Sequence, residues 1–117
     1  GRRCGIVSNN SATAIRHYLV EHELDEFVSV ISGRTPGQPD LMKPSPVPIW
    51  RALGTLGAGT AGTVLVGDSV SDLKAARAAR VGCIGFANKP VKWNRFSGAD
   101  LMIDDMSEIA NVLSRGA

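Results

Sequence analysis

Five polar residues of this 117-residue chain have types and positions suited to chemistry on a phosphate group. The set consists of Ser8 and Asn9 after the apolar stretch CGIV, Lys43 in LMKPSP, and Asp68 and Asp72 in VGDSVSDLKAARAA. Hydroxyl and ammonium groups can bind phosphate oxygens. Carboxylates supply the oxygen ligands that Mg²⁺ prefers, usually together with phosphate and water. The set therefore predicts Mg²⁺-assisted phosphoryl chemistry, although each residue alone is weak evidence.

Each of these residues also has a purely structural interpretation. Ser69 and Asp72 have the spacing of a capping box, so Asp72 could serve the N-terminus of a helix. The cationic side chains of Lys74, Arg77 and Arg80 fall on one stripe of that helix, which predicts a solvated face. The remaining candidates could be turn, loop or cap residues, namely Ser8, Asn9, Lys43 and Asp68.

Alternating strands and helices are predicted to position the candidates. The predicted strands cover 4–8, 27–33, 63–69, 81–87 and 100–104, and the predicted helices cover 11–24, 45–57, 70–80 and 106–115. Because the strands are continuously apolar, the pattern predicts a three-layer, Rossmann-like α/β fold whose parallel sheet is covered on both faces. Ligands of such sheets bind beyond the carboxyl ends of the strands, where Ser8 and Asp68 lie. The alanines of 75–79 predict a helix that packs closely on the sheet.

Capping signals fix the starts of three predicted helices. Ser11 precedes the first helix, whose apolar side chains follow helical spacing. Ser45 is the predicted N-cap of the second helix, with Pro46 at its first position. Asp105 and Glu108 have capping-box spacing at the start of the last helix.

Length and composition predict a single globular domain and give no sign of a nucleic-acid-binding, membrane-spanning or secreted protein. Hydrophobic residues make up 44% and charged residues 21%, and the formal net charge is +2, which is too small to indicate a nucleic-acid partner. No apolar run approaches the roughly 18–20 residues that span a bilayer, and no secretory leader is evident. Cys4 and Cys83 both border apolar runs, which predicts buried free thiols in a reducing, cytoplasmic setting.

Three other stretches are weak candidates for a phosphate, metal or nucleic-acid site. GTLGAGTAG (54–62) shares only glycines with a phosphate loop and lacks its Gly-Lys-Ser/Thr ending. His17 and His22 lie five positions apart and so do not share a helix face. The segment NKPVKWNRF (88–96) mixes cations with aromatics and could stack on bases, but it is interpreted as a surface loop against the sheet edge or a neighbouring chain.

IVSNNS, KPSP and VGDSVSDLKAARAA resemble motifs II, III and IV of the haloacid dehalogenase (HAD) superfamily, most closely its phosphoglycolate phosphatase-like subfamily. The resemblance runs through nearly the whole chain in order, and motif IV is its most specific part. It implies that Ser8, Asn9 and Lys43 bind the phosphoryl group and that Lys43 also steadies the nucleophile's charge. It further implies that Asp68 is a Mg²⁺ ligand and that Asp72 supports the metal directly or through water.

Motif I of that family, DxDx[TV], which carries the aspartate nucleophile, is absent from residues 1–117. The resemblance places its strand between the strands predicted at 4–8 and 63–69, and it places a helical cap upstream as well. The chain is therefore expected to be the C-terminal portion of one HAD core, lacking the central strand of the sheet. It does not start with Met, which fits a piece of a longer protein. Pairing with an upstream N-terminal segment or self-association would complete the sheet.

Two functions of different classes follow from these patterns. The first is part of a Mg²⁺-dependent phosphate monoester hydrolase that acts on a small phosphorylated metabolite through an aspartyl-phosphate intermediate, with this chain inactive alone. The second is a non-catalytic module, or pseudo-enzyme, that keeps phosphate and Mg²⁺ contacts without a nucleophile. Neither function involves nucleic acid or a membrane.

Overall fold

A computed structural model describes residues 2–87 and 98–109. Strands and helices alternate along the chain as predicted, with shorter bounds than the sequence pattern indicated. In chain order the elements are β1 (Gly5–Val7), α1 (Ala12–Glu21), β2 (Val30–Ser32), α2 (Val47–Leu56), β3 (Val64–Gly67), α3 (Val70–Ala79), β4 (Gly82–Phe86) and β5 (Leu101–Ile103). Two 3₁₀ turns, Asp25–Phe27 and Pro39–Leu41, lie in the connections. None of the helices in these ranges is long and apolar enough to cross a bilayer.

All strand pairs within the described residues are parallel, as the continuous apolar runs predicted. β1 pairs with β2, with Gly5 opposite Val30, and β3, β4 and β5 form a second sheet in that order. No ladder joins β1 to β3 within the described ranges. In the part of the chain that the structure describes, the parallel strands thus form two separate half-sheets.

Helices α2 and α3 form the core with the strands beneath them. Ile49 and Leu53 of α2 pack with Ala75, Ala76 and Ala79 of α3 and with Val81 and Cys83. These three alanines are at most 1% exposed, which confirms their predicted packing role, whereas Ala78 of the same run is exposed. Because small side chains let α3 lie close to the sheet, the residues at its start are held near the carboxyl end of β3. Lys74, Arg77 and Arg80 are exposed, as predicted.

The helix ends show one confirmed cap and one wrong prediction. Ser11 caps α1, since its Oγ accepts a hydrogen bond from the N–H of Ala14 at 3.2 Å. Helix α2 begins one residue later than predicted, so Pro46 rather than Ser45 is its N-cap residue. The Oγ of Ser45 instead accepts from the N–H of Val47 at 3.2 Å. Helix α2 ends at Gly57, whose φ of 66° is a left-handed conformation that glycine adopts without strain.

Other differences between the predicted and the observed structure have local causes. Cys83 is buried and free, as predicted, but Cys4 is exposed, because β1 begins only at Gly5 and leaves Cys4 outside the sheet interior. The predicted strand over 27–33 is shorter, since Phe27 closes a 3₁₀ turn and is exposed. The Oδ1 of Asp105 accepts from the N–H of Ser107 at 2.9 Å. Most of the helix predicted over 106–115, and the segment 88–96, lie outside the described residues.

Candidate functional site

The chain leaves β1 through a short polar turn that contains Ser8. The N–H of Ser8 donates to the carbonyl of Ser32 at 3.0 Å, which extends the β1–β2 ladder by one bond. Its Oγ accepts from the N–H of Asn10 at 3.1 Å. Ser8 is therefore fixed at the carboxyl end of β1, where the resemblance expected a phosphate-binding hydroxyl.

Asn9 connects this turn to the loop that carries Lys43. Its Oδ1 accepts from the backbone N–H of Lys43 at 2.9 Å, and its Nδ2 donates to the carbonyl of Lys43 at 3.4 Å. The two residues are 34 positions apart in the sequence. These two bonds attach a loop rich in proline and glycine to the end of β1.

The ammonium group of Lys43 lies between the two half-sheets. Its Nζ donates to the carbonyl of Val7 on β1 at 3.2 Å and forms an ion pair with Oδ1 of Asp72 on α3. The side chains of Lys43 and Asp72 are only 13% and 7% exposed. A buried charge needs a partner, and here each residue is the other's partner.

Asp72 is both a helix cap and the counter-ion of Lys43. Its Oδ2 accepts from the N–H groups of Asp68 and Ser69, both at 3.2 Å, and from the Oγ of Ser69 at 2.9 Å. The Oγ of Ser69 in turn accepts from the N–H of Asp72, which completes the predicted capping box. The cap interpretation of Asp72 is therefore confirmed, and the same carboxylate also pairs with Lys43, while its metal-supporting role stays a prediction.

A close approach of backbone and side chain supports this arrangement. A Cβ at Gly67 would clash with the Cβ of Asp72 and lie 2.6 Å from its Cγ. Only a residue without a side chain lets the end of β3 run this close to α3. The sequence pattern points to Asp68 but gives no sign that glycine is required at position 67.

The pKa of Asp72 reflects these contacts. Burial by itself would raise it, but the hydrogen bond and charge of Lys43, together with the donors of Ser69, lower the pKa of Asp72 below its usual value. The carboxylate is therefore ionised at neutral pH, and the pair is a true ion pair.

Asp68 is the candidate metal ligand whose side chain reaches the surface. It follows β3 directly and is exposed, while both oxygens of Asp72 already have protein donors. Among the described residues no group of three or more His, Cys, Asp or Glu side chains could enclose a metal. Mg²⁺ often takes only one or two protein carboxylates and completes its shell with phosphate and water. An exposed carboxylate such as that of Asp68 is compatible with an open site of this kind.

The structure thus brings Lys43 into contact with both Asn9 and Asp72. Ser8 precedes Asn9 in the chain, and the N–H of Asp68 donates to Asp72. A cavity of about 190 Å³ lies elsewhere, lined by the edge of β2 and by Arg51 and Thr55 of α2, and none of the five candidates lines it. The contact that sequence reasoning missed is the pairing of Asn9 with the Lys43 backbone. The candidate site lies at the carboxyl ends of β1 and β3. It contains the hydroxyl of Ser8, the ammonium group of Lys43 paired with Asp72, and the exposed carboxylate of Asp68.

Comparison with known families gives a consistent picture. The sequence profile described as haloacid dehalogenase-like hydrolase matches residues 1–86. A phosphoglycolate phosphatase of Nitrosococcus oceani is 37% identical over the whole chain, which covers 52% of that protein. The pyrophosphatase PpaX of Bacillus cereus is 28% identical over 97% of the chain and is covered over 53% of its length. The chain therefore spans about half the length of these curated relatives.

Solved structures agree on the fold. A crystal structure of a predicted phosphoglycolate phosphatase from Haemophilus somnus 129PT superposes with a TM-score of 0.80 at 25% identity. The match covers 97% of this chain and 50% of that one.

Proposed function

Since this chain belongs to the haloacid dehalogenase-like hydrolase family, we propose that it is part of a Mg²⁺-dependent phosphate monoester hydrolase. The reaction proceeds through an aspartyl-phosphate intermediate whose nucleophile lies outside residues 1–117. The observation that carries the proposal is the buried Lys43–Asp72 pair at the carboxyl ends of β1 and β3. A fixed cation at this edge of a parallel sheet is suited to stabilising charge on a transferring phosphoryl group.

Each candidate residue has a role in this proposal. The hydroxyl of Ser8 binds a phosphoryl oxygen, and Lys43 offsets charge on the phosphoryl group and on the nucleophile. Asp72 holds the ammonium group in place through its Oδ1 and, through its Oδ2, orders the turn after β3. Asn9 was also predicted to line the phosphate pocket.

Asp68 would hold the Mg²⁺ ion, with Asp72 supporting the site through the N–H of Asp68. When bound, the ion supplies a positive charge that neutralises phosphoryl oxygens. Binding by one exposed carboxylate requires further oxygens from substrate and water. The metal role of both aspartates is a prediction from the resemblance.

Residues 1–117 form, in this proposal, the C-terminal portion of a single hydrolase core. A strand carrying DxDx[TV] would fill the position between β1 and β3 and satisfy their facing backbone groups. Self-association is the alternative means of covering these edges. The substrate is a small phosphorylated metabolite, in line with the names of the relatives, which are phosphatases of phosphoglycolate and pyrophosphate. The cytoplasmic location stays a prediction.

A non-catalytic module is the second candidate. It is favoured by the contacts of Lys43, because its ammonium group already has two protein partners in the described part of the chain and needs no ligand to stabilise it. Such a module would bind phosphate without releasing it from esters.

Phosphate release from p-nitrophenyl phosphate tests the two candidates. The chain is assayed alone and as a chimera behind an N-terminal segment that bears DxDx[TV]. We expect turnover only in the chimera with Mg²⁺, and a loss of at least about 10²-fold on Lys43→Met, since one electrostatic contact to the transition state is of that order. Lys74→Met, on the exposed face of α3, is the matched control. An inactive chimera, or one indifferent to Lys43→Met, would favour the module.

A further inference from the structure

We infer that Asn9 is a positioning residue for Lys43, an assignment that rests on the proposed function for its catalytic meaning. The amide of Asn9 bonds both backbone groups of Lys43. The ammonium group of the same lysine bonds Val7 and Asp72. Lys43 is thus held at both ends, and Asn9 holds the backbone end.

The chemistry of the amide fits this role closely. The backbone N–H of Lys43 can only donate and its carbonyl can only accept, so the partner must offer one acceptor and one donor side by side. Asn9 offers both, and this pattern fixes which side-chain atom is Oδ1 and which is Nδ2. An aspartate at position 9 would lack the donor. A serine there would have only one polar atom, on a shorter side chain.

The rest of the loop explains why such an attachment is needed. Lys43 follows the 3₁₀ turn Pro39–Leu41 and lies outside any strand or helix. Its backbone therefore has no ladder to hold it. Without Asn9, the loop could still place the ammonium group near Asp72 but with a wider range of positions, and catalysis is sensitive to displacements of about 1 Å.

The same contacts occupy most of the hydrogen-bonding capacity of the Asn9 side chain. Its Oδ1 accepts from the N–H of Lys43 at 2.9 Å, and one N–H of its Nδ2 donates to the carbonyl of Lys43 at 3.4 Å. The second N–H of Nδ2 is not used in holding Lys43 and can donate to another acceptor. Positioning of Lys43 by Asn9 and the predicted phosphate contact of Asn9 therefore do not exclude each other.

Chemical footprinting tests the inference without any turnover. The 117-residue chain is treated with an acetylating reagent, and mass spectrometry gives the rate at Lys43 relative to the exposed Lys74 in the same molecule. Asn9→Leu is expected to raise this ratio about tenfold, the order expected for loss of two hydrogen bonds of ordinary net strength. Asn9→Asp, which keeps the acceptor and the size, is the second variant and is expected to raise it less. Asn10→Leu is the matched control, because the side chain of Asn10 is exposed and makes no bond among the described residues.

A mutant cycle in the active chimera tests the catalytic meaning. Asn9→Leu is expected to lower kcat about tenfold with little change in KM, but to have less than a twofold effect when Lys43→Met is already present. The inference would be overturned if Asn9→Leu lowered kcat by the same factor with and without Lys43→Met. It would also be overturned if the acetylation ratio were unchanged in both Asn9 variants. If the chimera has no activity with Asn9 intact, the proposed function fails, while the footprint still decides whether Asn9 positions Lys43.

Discussion

Lys43 and Asp72 lie 29 positions apart in the sequence and form a buried ion pair that joins the loop after β2 to the start of α3. The same ammonium group donates to the carbonyl of Val7 on β1. One lysine thereby connects strand β1 to α3, the helix that follows β3. The pair is both a structural link and the centre of the proposed phosphate site.

Removing one partner of this pair should destabilise the fold strongly. Asp72→Asn leaves the Lys43 ammonium group buried without its counter-ion, and such losses cost about 3–5 kcal/mol. Urea unfolding followed by circular dichroism gives the change in the free energy of unfolding. Lys43→Met removes the ammonium group that Asp72→Asn leaves unpaired. The variant with both substitutions should therefore be more stable than the sum of the two single losses predicts. Additive losses would mean that the pair contributes nothing beyond the two side chains taken separately.

The stability of the chain should depend on pH through Asp72. Its pKa is lower in the folded chain than in the unfolded one, so the unfolded state binds more protons as the carboxylate titrates. The contribution of Asp72 is therefore complete above its unfolded pKa of about 4 and is lost as the pH falls through the folded value. Urea unfolding between about pH 3 and pH 6 should show this loss, and Asp72→Asn should have a smaller slope. Identical slopes for the two proteins would contradict the assignment.

Gly67 should not tolerate a side chain. Gly67→Ala places a Cβ against Asp72, and overpacking of this kind costs about 1–3 kcal/mol. Gly54→Ala is the matched control, because no atom lies within 4 Å of the added Cβ and the position is inside α2. Alanine there should stabilise the helix by about 0.5–1 kcal/mol. Equal effects of the two substitutions on urea unfolding would show that the close approach at Gly67 is unimportant.

The sequence predicted the parts of this molecule that depend on local pattern. Alternating apolar strands and amphipathic helices indicated parallel pairing, and the spacing of Ser69 and Asp72 indicated the capping box. The pairing of Asn9 with Lys43 could not be predicted, because it depends on the path of a loop that has no periodicity. The exposure of Cys4 was mispredicted for a related reason: an apolar neighbour does not show where a strand begins. Asp72 illustrates the limit best, since the spacing of Ser69 and Asp72 indicated the cap, but no pattern indicated that the same carboxylate pairs with Lys43.

In the proposed function, these residues complete a Mg²⁺-dependent phosphatase when the missing motif is supplied. The most direct measurement is phosphate release by the chimera over a range of Mg²⁺ concentrations, beside its Asp68→Asn variant. Asp25→Asn serves as control, because Asp25 is an exposed carboxylate in the 3₁₀ turn that precedes β2. We expect turnover that requires Mg²⁺, survives Asp25→Asn and falls at least about 10²-fold with Asp68→Asn. Mg²⁺-dependent turnover that persists undiminished in the Asp68→Asn variant would contradict the account.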